Sequence, residues 1–105
     1  MEVLEYQTTT GRRPYVEWVR QLKDKPTEAI IRNRIKRLRQ GNFGDHRSVG
    51  SGVWEMRIFF GPGYRVYYLM DGWHLVILLC GGDKDSQMRD IVMAKDFAAD
   101  YWRRK

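Results

Sequence analysis

Apolar and polar residues alternate from Trp54 onward. Trp54, Met56, Ile58 and Phe60 fall on even positions, and Glu55, Arg57 and Phe59 on odd ones. A period of two is the mark of a β-strand with one apolar face. Beyond Gly61-Pro62-Gly63 the pattern resumes, with Tyr64, Val66 and Tyr68 even and Arg65 and Tyr67 odd. The pattern predicts three strands, Val53–Phe60, Tyr64–Met70 and Trp73–Cys80, the last two joined by Asp71-Gly72 as a tight hairpin. Elsewhere the period lengthens to that of a helix. Tyr15, Trp18, Val19 and Leu22 share one helical face after Pro14, a residue suited to the first helical position. A second helix opens at Pro26 or Thr27, buries Ile31, Ile35 and Leu38, and ends at Gly41. A third runs from Ser86 to about Trp102, with Asp85 or Ser86 placed to cap it and Ile91, Ala94, Ala98 and Tyr101 on one face. Glu2–Tyr6 reads as a short strand. Gly41–Gly52, rich in Gly, Asn, Asp and Ser, reads as a long loop of the kind that carries function. The order β-α-α-β-β-β-α predicts one α+β domain over residues 1–105 with a largely antiparallel, twisted sheet.

Charge changes this picture. The net charge is +6, and it is uneven. Residues 12–47 hold eleven Lys and Arg against four Asp and Glu, whereas residues 48–102 hold five against seven. A basic half suggests a polyanion or an acidic protein as partner. Arg32, Arg34, Lys36, Arg37 and Arg39 surround the buried stripe of the second helix, a pattern that also suits a plain solvated surface. Cys80 is the single cysteine, so neither an internal disulfide nor a cysteine-based zinc site is expected. No apolar run approaches the roughly 18 residues of a membrane span. The acidic start "MEVLEYQ" is unlike a signal peptide, and a cytoplasmic location is expected.

The two arginines of the hairpin raise the main chemical question. If Phe60 pairs with Tyr64, Arg57 lies opposite Tyr67 and Arg65 opposite Phe59. The arginines are then diagonal neighbours, roughly 7–8 Å apart at the backbone. Like charges so placed repel unless an anion lies between them. An Asp-Gly turn that pairs Met70 with Trp73 brings Leu78 beside Arg65 and leaves the "GGDK" loop, with Lys84, nearby. The competing reading is a solvated sheet face on which Glu55 simply pairs with Arg57, a contact worth about 0–1 kcal/mol. His46 and His74 lack metal-ligand spacing and read as surface residues, and Cys80 as a packed apolar group.

The runs "GNFGDHR", "GVWEMRIFFGPGYRVYY" and "LLCGGDKDSQMRDI" resemble the RelE/ParE toxin superfamily, most of all its HigB-like branch of addiction-module killer proteins. The resemblance covers nearly the whole chain and implies a RelE-like domain. It implies the toxin of a type II toxin–antitoxin module, a ribosome-associated endoribonuclease that cuts mRNA without metal or other cofactor. Its partners are then mRNA, the ribosome and a cognate antitoxin of helix-turn-helix type, with no membrane involved. By position Arg57, Arg65 and Lys84 match the family's phosphate-holding cations and Arg47 its basic loop residue, while Arg32, Lys36 and Arg39 are candidate RNA contacts. Tyr67 is a candidate to stack on a base or to act as the general base, its phenol acidified by the arginines. Lys84 lies between Asp83 and Asp85, which hold its proton on, and a guanidinium at Arg47 stays protonated. "FAADYWRRK" has no counterpart of the C-terminal histidine that some relatives use. Two other readings share the scaffold: a non-catalytic ParE-like toxin that acts by binding gyrase, and an inactive antitoxin-bound subunit.

Overall fold

A computed structural model describes Met1–Lys105. It has three helices and one five-stranded sheet, in the order β1 (Glu2–Glu5), α1 (Pro14–Gln21), α2 (Lys25–Arg39), β2 (His46–Gly50), β3 (Val53–Ile58), β4 (Tyr64–Asp71), β5 (Leu75–Asp83) and α3 (Gln87–Arg104). In space the strands run β1-β5-β4-β3-β2. β1 pairs parallel with β5 and the other three pairings are antiparallel. The expected α+β class is therefore met. No helix is long and apolar enough to cross a membrane.

The period-two pattern divides the core in two. Met56, Ile58, Val66, Tyr68, Val76 and Leu78 face one side, where Tyr15 and Val19 of α1 and Ile31, Ile35 and Leu38 of α2 cover them. Val53, Tyr67, Leu69, Ile77, Leu79 and Cys80 face the other, where Ala94 and Ala98 let α3 approach closely. Leu79 and its neighbour Cys80 both reach this second core because of an irregularity in the β4–β5 ladder. Tyr67 pairs with Cys80 but Tyr68 with Leu78, so Leu79 is the extra residue of a bulge.

Several expectations are corrected. The second half of the presumed loop, His46–Gly50, is an edge strand. β3 ends at Ile58, which pairs with Tyr64, so the connection is longer than Gly-Pro-Gly and Arg57 lies directly opposite Arg65. The Asp71-Gly72 hairpin is also wider than two residues, because Asp71 pairs with Leu75. β5 therefore starts later and runs on to Asp83, and Gly82, not Leu78, lies beside Arg65. The start of α3 is organised by Asp83, whose Oδ1 accepts the Asp85 and Ser86 N–H groups at 2.9 and 3.1 Å, and not by an Asp85 or Ser86 side-chain cap.

The end of β5 is clamped from both faces. A Cβ on Gly81 would stand 2.2 Å from the Trp18 ring, and one on Gly82 1.8 Å from Asp90 Oδ2. Glycine is thus demanded by contact, and these two residues let α1 and α3 grip the same strand. Gly81→Ala should lower stability by about 1–3 kcal/mol through overpacking. Urea unfolding of the single variant and of Gly81→Ala/Trp18→Leu checks this: the second change should recover part of the loss, and strict additivity would place the strain elsewhere.

Candidate functional site

On the α3 side of the sheet, strand pairing sets out two rows of side chains. Arg47, Glu55, Tyr67 and Cys80 are successive partners across β2, β3, β4 and β5. One step toward the Gly-Pro-Gly end, Arg57, Arg65 and Gly82 form the next row. Asp45 extends that row, because its carbonyl accepts the Arg57 N–H at 2.8 Å.

Glu55 is the centre of the first row and is fully buried. Arg47 Nε donates to Oε1 at 2.8 Å, while the Tyr67 hydroxyl and Gln87 Nε2 each donate to Oε2 at 3.0 Å. Arg65 Nε stands 3.7 Å from Oε2, an ion pair without a hydrogen bond. Burial alone raises the Glu55 carboxyl, but the hydrogen bonds from Arg47, Gln87 and Tyr67 outweigh it and hold the group below its ordinary value. Glu55 therefore does not pair with Arg57 at the surface. Arg57 instead donates from Nη2 to Asp45 Oδ1 at 2.9 Å.

The second row is short of negative charge. Arg57 and Arg65 occupy directly opposed positions, which in an antiparallel pair brings Cα atoms to about 4.5–5.5 Å. Arg57 Nε, Arg65 Nε and Arg65 Nη1 have no hydrogen-bond partner. Arg65 is mostly covered, with 15% of its side chain exposed, and Arg57 is more open at 38%. Lys84 is exposed, and its N–H donates to the Gly63 carbonyl at 3.0 Å, which fixes the "GGDK" segment to the turn above the arginines. The first residue of α3, Gln87, touches Glu55, so the positive end of that helix's dipole also lies at the site.

Of the expected site residues, the structure brings together Arg47, Arg57, Arg65 and Tyr67 and places the Lys84 backbone beside them. Tyr67 differs from expectation. It is fully buried, and burial first, then the charge of Glu55, raises its phenol well above the ordinary value instead of lowering it. It has no free face for stacking. Arg32, Lys36 and Arg39 lie elsewhere, on the exposed surface of α2 across the sheet, and Arg32 pairs with Glu28 at 2.7 Å. Arg32 and Arg39 line a groove with Val3, Leu4 and Tyr15. His46 sits on the face opposite the arginines, against Phe43 and Trp54. His74 stacks on Trp73 beyond the far end of β4.

Sequence reasoning missed Glu55 as the hub, and with it Gln87 and Arg34. From α2, Arg34 Nη1 donates to the Arg57 carbonyl at 2.9 Å and so braces the strand that carries Arg57. The available signal for Glu55 was one acid between the apolar Trp54 and Met56 on a strand otherwise suited to burial.

The Glu55 contribution to stability follows from its lowered pKa. It is fully present above the ordinary carboxylate value of about 4.3 and is lost as pH falls through the lower folded value. Glu55→Gln should cost about 3 kcal/mol at neutral pH, because it leaves cations without their buried partner. It should also flatten the acid limb of the stability curve. Urea unfolding between about pH 3 and pH 7 tests this, and parallel curves for the two proteins would count against it.

Residues 17–96 match the Gp49-like family of phage-derived proteins, DUF891. An uncharacterized protein of Haemophilus influenzae is 54% identical over 78 residues, which span 74% of this chain and 79% of that protein.

Proposed function

The chain belongs to the Gp49-like family of phage-derived proteins, a toxin-like family of the RelE/addiction-module type, and from that premise we propose that it is an mRNA-cleaving toxin. The finer placement is in the HigB-like branch, acting on mRNA at the ribosome and silenced by a cognate antitoxin of helix-turn-helix type. The observation that carries the reading is the row of opposed arginines with three unpartnered donors. Those three donor atoms are buried, so a phosphodiester would meet the open part of the row, chiefly Arg57, with the uncompensated positive charge of both arginines behind it.

In this reading Arg57, Arg65 and Lys84 hold the scissile phosphate, and Arg47 extends the cationic surface. The neighbouring ribose 2′-hydroxyl attacks phosphorus and gives its proton to water, and the bond to the 5′-oxygen breaks as that oxygen takes a proton from water. A 2′,3′-cyclic phosphate remains, with a 5′-hydroxyl on the leaving strand. The transition state carries more negative charge than the ground state, so preorganised cations accelerate the step. No member of the cluster is poised as a general base. The guanidinium groups stay protonated, Tyr67 holds its proton, and the Glu55 oxygens already accept three hydrogen bonds. Charge stabilisation therefore carries most of the rate, and Tyr67 is a positioning residue that keeps Glu55 in place.

Arg65→Ala should lower RNA cleavage by about 10²–10³-fold, the cost of removing one transition-state donor, and should abolish growth inhibition on induced expression. Tyr67→Phe should retain most of the activity and keep the same pH profile. Full toxicity of a folded Arg65→Ala protein would remove Arg65 from the site.

The exposed cations of α2 contribute affinity at a distance from the chemistry. Replacing Arg32, Lys36 and Arg39 by Glu should weaken RNA or ribosome binding while leaving the rate of bound substrate unchanged. The salt dependence should flatten by about 0.7 in log K per log salt for each phosphate that is no longer neutralised. Salt titrations of binding check this, and a slope unchanged from wild type would overturn it.

A further inference from the structure

Resting on the ribonuclease reading, we propose that Phe59 is a stacking platform for one base of single-stranded RNA, beside the phosphate held by Arg57 and Arg65. Phe59 is 81% exposed, whereas Ile58 before it is buried and Phe60 after it is about half as open at 38%. Its ring belongs to neither hydrophobic core. The exposure is built into the turn. β3 pairs only as far as Ile58, so Phe59 is the first residue beyond the ladder. The Phe60 N–H donates to the Ile58 carbonyl and the Gly63 N–H to the Phe60 carbonyl, each at 3.0 Å. Gly63 is in turn tied to Lys84. The ring is thus presented on a braced loop and not on a loose one.

Its surroundings select the ligand. The Arg57 guanidinium lies over one face of the ring, 5.8 Å from its centroid, so the opposite face is the one that a base can stack on, with the cation directly behind it. Arg65 and Lys84 make the neighbourhood more positive. A ligand that satisfies both needs a flat π-surface and a negative charge in one unit, and a nucleotide has both. In a duplex the base faces are occupied by their own stack, whereas a single strand can splay a base onto a protein ring. Tyr67, the other aromatic side chain beside the arginines, is buried and unable to do this.

The test uses single-stranded 2′-O-methyl oligonucleotides, which lack the attacking hydroxyl, with 2-aminopurine at successive positions. Wild-type protein should bind them and quench fluorescence most strongly at one position. Phe59→Ala should lose that quench and bind about 5- to 150-fold more weakly. Phe59→Trp should keep both properties, and Phe59→Leu, apolar but without a π-face, should keep neither. All three variants should melt with the wild type, since the ring is outside the core. Equal binding by wild type and Phe59→Ala, or equal performance of Leu and Trp, overturns the stacking role and leaves the ribonuclease reading standing. A wild-type protein that binds no RNA overturns that reading and the platform with it.

Discussion

The site depends on one buried carboxylate. Taking the charge of Glu55 out of water costs several kcal/mol, and only good hydrogen bonds with opposed charge offset it. Here the donors come from three different elements: Arg47 on β2, Tyr67 on β4 and Gln87 at the start of α3. The requirement to satisfy Glu55 therefore pins the edge strand, the central strands and the last helix in one arrangement. The bound cations stand in a fixed row, and the next row is left positive. Neutralising Glu55 would relax both the anchor and the geometry that it imposes.

That arrangement also explains why two arginines can face each other without disrupting the hairpin. Each has its own nearby carboxylate, Asp45 for Arg57 and Glu55 for Arg65, and Arg34 braces the Arg57 carbonyl from the other side of the sheet. Neither carboxylate satisfies all the donors of its partner. The repulsion is contained by the fold and not fully cancelled, and this is the condition under which a visiting phosphate gains most. Cations pre-positioned by the protein need no reorganisation when charge develops.

The faces of β3 and β4 were legible in the sequence because strand parity survives a register error of two. β5 was misfaced: the expected pairing put Leu78 beside Arg65, and it lies in the opposite core, beneath α1 and α2. The true β3–β4 register differs from the expected one by two residues, and a shift of two leaves every side chain on its face. Arg57 and Arg65 therefore lie on the expected side although their partners changed. The turns misled because Gly-Pro-Gly and Asp-Gly suggest tighter connections than the chain makes. β2 was illegible for a different reason. His46, Arg47 and Ser48 are exposed at a sheet edge and carry no apolar alternation. Tyr67 was placed on the correct face, but its burial depends on α3 lying over it, which local sequence does not report. The helical faces were clearer, since Ile31, Ile35 and Leu38 repeat at helical spacing and all three are buried.

The basic surfaces of α2 and of the arginine row lie on opposite sides of the sheet, so the charge of the chain is not one continuous patch. In the proposed function the chemistry belongs to the row beside Glu55, and the helix supplies only longer-range attraction. The most direct test is transcriptome-wide mapping of RNA ends after brief induced expression. An mRNA-cleaving toxin should produce new 5′-hydroxyl ends within translated messages, matched by 2′,3′-cyclic phosphates on the upstream fragments, before growth stops. Growth arrest with intact messages and no such ends would contradict it.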